Sequence, residues 1–516
     1  MNGAQSLLHT LVDAGVDVCF ANPGTSEMHF IAALEDVPPM RGVLGLAEGV
    51  VTGAADGFGR MADRPAATLL HLGPGMANGL ANLHNARRAA TPIVNVVGDH
   101  ALAHKGFDAP LESDIDAAAH TVSTWVRRSK DASAVGEDVA EAVAAATAKP
   151  GVATLILPAD VSWSDGGEVG TPVATPGPRR VADETLAPIA EAVATGEPTT
   201  LLLGGAACRQ RGLLAASRIA AATGTEVLVE TFPARLERGE GLPSFSRLAY
   251  LAESATGQLA GSRHLVLAGA RSPVSFFAYP GRPSDLVPEG TEVHVLATSE
   301  DDVVTALEAL ADSVAADVEP ELQVADRPEA PSGELTLTSW AEVIGALLPP
   351  DAIVCDEANT SGAGLAAATA GAPRHDWLTL TGGAIGQGLP LAVGAAVACP
   401  DRHVIALEAD GSAMYTIQAL WTMVREDLDV TTVILNNGAY AILRMELQRV
   451  GAEAGGPTTE SLLDLTRPGL DFVSLAAGMG MPATRATTAE ELAEQFARAV
   501  AAPGPHLIEA VVPPLL

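Results

Sequence analysis

The chain has 516 residues, 48% of them hydrophobic, enough for about three domains of roughly 150 residues with ample cores. Its 30 basic residues face 63 acidic ones, a net charge of −33, which excludes nucleic acid and anionic membranes as expected partners. Four scattered cysteines, Cys19, Cys208, Cys355 and Cys399, have no CxxC spacing, so neither a disulfide framework nor a cysteine zinc site is expected.

The N-terminal MNGAQSLLHTLVDAGVDV lacks the basic start and apolar core of a signal peptide. With no apolar run of bilayer length either, a cytoplasmic protein is expected. Residues 4–14 read as an amphipathic helix and Val16 to Phe20 as a strand. The turn Asn22-Pro23-Gly24-Thr25-Ser26-Glu27 follows, with a helix start behind it. Val43 to Leu46 is apolar and leads to Glu48, which opens a helix with Val51 and Ala55 on its own face. A carboxyl in such surroundings can share a proton with a partner nitrogen. It also reads as an ordinary first-turn glutamate favoured by the helix dipole. Strands are expected at Ala66–Leu70, ending at His71, at Ile93–Val97 and at Ala153–Leu157. A histidine after such a strand is either structural or an acid–base group.

Ser164 to Arg180 is rich in Gly and Pro and reads as a linker. Strands at Thr200–Leu203, Glu226–Val229, His264–Leu267 and Glu292–Leu296 then continue the alternation. Gly204-Gly205 lacks the full GxGxxG pattern and reads as a tight strand–helix turn. A second linker, Asp317 to Gly333, precedes a helix at Ser339–Leu348 and a strand at Ala352–Cys355. The alternation of strands and helices implies an α/β protein of three doubly wound parallel-sheet domains, at residues 1–165, 183–315 and 334–516.

The most specific stretch runs from Val404 to Ile442. An apolar run, Val404 to Leu407, is followed by Glu408-Ala409-Asp410-Gly411-Ser412. Met414, Ile417, Leu420, Trp421 and Val424 then recur with helical spacing, and the run Thr432 to Leu435 ends at Asn436-Asn437-Gly438. This is strand, crossover helix and parallel strand, with both polar turns at carboxyl ends of strands, where open α/β sheets bind ligands. Asp410, Asn437 and the Ala439 carbonyl are hard oxygen ligands suited to Mg²⁺. Free N–H groups of Gly411 and Ser412 at the helix start suit a diphosphate. An Asp cap or an Asn-Gly turn explains either end alone, but not the pair at this separation.

The stretch resembles the fingerprint of thiamine-diphosphate enzymes, a GDG-like turn followed by NN, with Ala409 in place of the first glycine. The segment LAEGVVTGAADGFGR resembles the part of that family supplying the glutamate that hydrogen-bonds the aminopyrimidine ring, and Glu48 matches it. Gly382 to Pro390 resembles the cofactor-bending segment, with Ile385 beneath the cofactor and the Gly383 carbonyl accepting from the exocyclic amine. Asn359 and Thr360 match residues touching the diphosphate, and the resemblance adds Gly411, Ser412, Tyr415, Tyr440, Ala441 and Ile442 to that cradle. It implies thiamine diphosphate and Mg²⁺ as cofactors, not FAD. The domains become pyrimidine-binding, middle and diphosphate-binding, with active sites between subunits of a homodimer or homotetramer.

Within the family, His71 matches an active-site histidine of benzoylformate decarboxylase, and Thr25 falls where that enzyme has a substrate-binding serine. Its second histidine is replaced at about Ala278. The acetolactate synthases' glutamine is missing near Pro110-Leu111-Glu112. The middle-domain text LLLGGAACR and LVLAGARSPVSFFAYPG resembles acetolactate-synthase-like large subunits. The resemblance therefore implies non-oxidative decarboxylation of a small 2-oxo acid, with transfer of the enamine to a second carbonyl. The alternatives are a simple decarboxylase of the benzoylformate type and a weakly active or regulatory cofactor-binding paralogue. Glu446 hints at a polar pocket.

Overall fold

The computed structural model describes residues 1–452 and 456–514. Three sheets organise them. The first holds β1 (Val18–Ala21), β2 (Arg41–Leu44), β3 (Ala66–Leu70), β4 (Ile93–Asp99), β5 (Trp125–Arg128) and β6 (Val152–Pro158), all parallel, in the order β2-β1-β3-β4-β6-β5. In the middle segment, β7 (Thr199–Leu203), β8 (Glu226–Val229), β9 (Leu236–Arg238), β10 (Ser246–Arg247), β11 (His264–Ala268) and β12 (Glu292–Ala297) follow. Five of them pair in the order β10-β8-β7-β11-β12, and β9 leaves to join the third sheet. That sheet is β17-β18-β16-β15-β13-β14-β9, built from β13 (Ile353–Glu357), β14 (His375–Thr379), β15 (Val404–Ala409), β16 (Val430–Asn436), β17 (Ala483–Ala486) and β18 (His506–Val511).

Central strands such as β3 and β4 are buried along their whole length, as expected for parallel sheets covered by helices on both faces. Their continuous apolar runs made them legible in the sequence. The short strands β5, β9, β10 and β17 carry exposed or half-buried residues and little apolar signal, and the sequence reading passes over them. β9 pairs antiparallel with β14, so the middle segment supplies one edge of the third sheet.

The first and third sheets are joined through glycine. The helix Glu48–Ala62 lies against the helix Gly388–Ala398 so closely that a Cβ at Gly57 would stand 2.1 Å from the Leu391 carbonyl oxygen. One at Gly394 would stand 1.8 Å from that of Ala54. Only hydrogen side chains permit this backbone approach. A buried ion pair reinforces it: Arg60 donates to Asp56 through Nε and Nη2, at 2.9 and 2.7 Å, with both side chains at most 1% exposed.

One expected helix is interrupted. The apolar spacing from Met414 to Val424 predicts a continuous helix, but the chain forms Asp410–Ala413 and Ala419–Arg425 with turns between. In the gap, Thr416 turns its hydroxyl outward to donate to the Gly386 carbonyl at 2.9 Å. A tertiary contact thus overrides a periodicity that was correct on both sides.

Candidate active site

Asp410 and Asn437 follow directly on β15 and β16, which pair in parallel with Ala409 opposite Leu435. Adjacency of the strands brings the two turns together. Asp410 Oδ2 accepts from the backbone N–H groups of Asn437 at 3.1 Å and Gly438 at 2.7 Å, and Oδ1 accepts from Gly411 at 2.8 Å. Asn437 Oδ1 accepts from the Ala439 N–H at 2.9 Å. Ala409, standing where the fingerprint has glycine, adopts φ −81° and ψ 148°, an extended conformation open to any residue. The departure at Ala409 requires no strain.

The donor set fits Mg²⁺ with a diphosphate. Burial pushes the Asp410 carboxyl up, against the opposing pull of its backbone donors, and a divalent cation would compensate that buried charge. Asn359 Nδ2 to Ser412 Oγ and Asn437 Nδ2 to Ser361 Oγ are both stretched, at 3.4 Å, leaving donor capacity at the mouth of the cradle. A Cβ at Gly411 would meet the Tyr440 ring at 2.5 Å, so glycine keeps this wall open. Thr360 and Ile442 are half-buried beside it, Ala441 is buried and Tyr415 is exposed. The expected helix dipole behind Gly411 is reduced to a helix of four residues.

Below the cradle lies a carboxyl pair that sequence reasoning missed. Glu357, at the end of β13, accepts from the Gly386 and Gly388 N–H groups at 2.8 and 2.5 Å. Glu408, at the end of β15, accepts from Ser412 Oγ at 2.5 Å. Burial pushes Glu357 up to about 7, and burial together with the neighbouring Glu357 raises Glu408 well above the usual range. Two such carboxyls cannot both ionise cheaply, so the pair retains a proton. Glu357 thereby ties the third sheet to the segment that carries Gly383 and Ile385. Ile385 is half-buried, and Gly383 (φ +74°) faces Phe276.

Glu48 and His71 form a second group, on the first sheet. Glu48 is 7% exposed and accepts from Asn78 Nδ2 at 3.1 Å. His71 Nδ1 lies 2.8 Å from Oε2 of Glu27, a carboxylate that also accepts from the Gly24 N–H at 2.7 Å. The adjacency of β1 and β3 creates this pair from the turn at 22–27 and the end of β3. Gly24 is required there, because a Cβ would overlap the His71 ring. Burial raises the Glu27 carboxyl, and the neighbouring imidazole opposes that shift. Thr25 is exposed beside them. Among the described residues, no hydrogen bond within one chain joins this group to the Asp410 group.

Glu446 does not supply the polar pocket its position hinted at. It accepts from Tyr279 Oη at 2.9 Å and pairs with Arg449 at 3.0 Å, and Arg449 in turn covers the Tyr279 ring. Phe276, Phe232 and Tyr250 instead form an aromatic cluster beside Gly383. Phe276 lay in the segment SPVSFFAYPG, but nothing in its local pattern pointed across to the third sheet.

Comparison with known proteins places the chain in a family. The chain matches family models described as the thiamine pyrophosphate enzyme N-terminal TPP binding domain, over residues 1–120, and C-terminal TPP binding domain, over residues 359–510. It is 63% identical, over the full length of both chains, to a Mycobacterium tuberculosis protein named "Putative acetolactate synthase large subunit IlvX". It is 30% identical to benzoylformate decarboxylase of Pseudomonas aeruginosa, over 96% of each. A solved structure of a thiamine diphosphate-dependent 4-hydroxybenzoylformate decarboxylase from Rhodococcus jostii superposes with a TM-score of 0.87, at 26% identity and 99% coverage of both chains. No helix among the described residues is long and apolar enough to cross a membrane.

Proposed function

The chain belongs to the thiamine pyrophosphate enzymes, and on that premise we propose that it decarboxylates a small 2-oxo acid without oxidation, using thiamine diphosphate and Mg²⁺. Asp410, Asn437 and the Ala439 carbonyl would hold the metal. Gly411, Ser412, Asn359, Thr360, Tyr415, Tyr440, Ala441 and Ile442 surround the diphosphate, while Ile385 and the Gly383 carbonyl support the rest of the cofactor. When bound, the cofactor would supply a carbon nucleophile and an electron sink for the loss of CO₂. Glu48 would face the aminopyrimidine ring and hold the proton exchanged there. The likeness to its family supports a site completed by a second subunit. In this reading the domains span 1–165, 183–315 and 334–516, with β9 as the exchanged edge strand.

The observation that carries the choice between products is the His71–Glu27 pair at 2.8 Å. A carboxylate accepting from Nδ1–H leaves Nε2 available to take a proton from solvent and hold it towards the substrate. This favours aldehyde release, although the sequence alone put carboligation first. Carboligation is the second reading, supported by the likeness to the acetolactate synthase-like relative.

Purified protein with Mg²⁺, thiamine diphosphate and a panel of aliphatic and aryl 2-oxo acids separates the two by product. Free aldehyde supports protonation and a hydroxyketone supports carboligation. Cofactor binding without CO₂ release from any acid identifies a regulatory paralogue. Glu48→Gln is expected to abolish turnover, and full activity in that variant would overturn the mechanism.

A further inference from the structure

The middle sheet carries a cluster that the reaction does not use. At the beginning of β11 and β12, His264 stands opposite Glu292 and Val266 opposite His294 in parallel register. All three side chains, His264, Glu292 and His294, share one face, because alternate strand residues point the same way. His264 Nδ1 and His294 Nε2 face each other at 3.1 Å. The Glu292 carboxylate reaches to 3.8 Å from the first nitrogen and 4.0 Å from the second. One ligand atom from each of the three lies within 4.8 Å of the others.

The far side of the His264 ring is also engaged. Its Nε2 lies 3.0 Å from Glu197 Oε2, on the turn before β7. A carboxylate accepting from Nε2–H fixes the tautomer with the lone pair on Nδ1, the arrangement that orients histidines bound to metal ions. We propose that His264, His294 and Glu292 bind a divalent transition metal of the zinc class, with Glu197 as the positioning residue. Two Zn–N bonds of ordinary length at a tetrahedral angle span roughly 3.3 Å between nitrogens, close to the separation seen. His264 is buried, whereas the Glu292 side chain is 67% exposed, leaving a wet side for the remaining ligand. The ion would strap β11, β12 and the turn at Glu197 together.

The test is calorimetric titration of Zn²⁺ into the full-length, EDTA-stripped protein under excess Mg²⁺, with metal content measured after dialysis. One Zn²⁺ per chain is expected, retained in Asp410→Asn. His294→Ala should lose binding at least a hundredfold, and Glu197→Gln at least tenfold. Glu292→Gln, at an exposed position, should also weaken binding while leaving the metal-free thermal midpoint unchanged. Absence of stoichiometric binding, or binding insensitive to His294→Ala and Glu292→Gln alike, would reduce the cluster to a histidine–histidine hydrogen bond and overturn the proposal.

Discussion

Replacing Arg60 with methionine removes the charge that neutralises Asp56 while keeping an apolar side chain of comparable length. Arg60 donates to both Asp56 oxygens, to the carbonyls of Ala234 and Thr379, and to Thr381 Oγ1. After substitution the Asp56 carboxylate keeps only Thr91 and Gln387 as donors, at 2.6 and 2.5 Å, in a fully buried position. Breaking one side of a buried ion pair costs about 3–5 kcal/mol, because the remaining charge is left uncompensated. Each of the two carbonyls adds a smaller loss. Against a total stability of about 5–15 kcal/mol this is a large fraction. Because Thr381 and Gln387 flank the segment carrying Gly383 and Ile385, thiamine diphosphate affinity should fall as well. Urea unfolding followed by tryptophan emission measures the first effect and cofactor titration the second. Asp56→Asn combined with Arg60→Met should recover at least about 1 kcal/mol over Arg60→Met alone, since no unpaired charge then remains. A loss below about 1 kcal/mol for the single variant, or a double variant less stable than the single one, would refute the reasoning.

Gly394→Ala forces a Cβ against the Ala54 carbonyl, and overpacking of this kind costs about 1–3 kcal/mol, readable as a lower thermal midpoint. Asp410→Asn should raise the Mg²⁺ concentration needed for half-maximal activity by at least about tenfold, since Mg²⁺ relies on few protein ligands; an unchanged Mg²⁺ requirement would remove Asp410 from the metal site. His375 is buried, and burial, followed by the neighbouring Arg238, lowers its pKa from 6.5 to about 4. Between those values the unfolded chain binds the extra proton, so stability is present above pH 6.5 and is lost as pH falls towards 4. From pH 7 to 5 the wild type should lose about 2 kcal/mol more than His375→Leu, and parallel urea midpoints would contradict this.

Much of the fold was legible because the central strands are continuous apolar runs between turn residues, a pattern that survives without tertiary information. The proximity of Asp410 and Asn437 was legible for a related reason. One crossover joins β15 to β16, so Asp410 and Asn437 are placed by local connectivity, and Glu48 is placed by the start of its own helix. What depends on strands meeting was not legible. Glu27 with His71, Glu357 with Glu408, and His264 with His294 become neighbours only through sheet order, which no short window encodes. The broken helix after Ala413 and the edge strand β9 belong to the same class, since in each a contact from a distant segment outweighs the local preference. The residues alone therefore determined the cofactor chemistry expected of this protein. The packing decided that His71 has a carboxylate partner, and with it the proton delivery on which the proposed product depends.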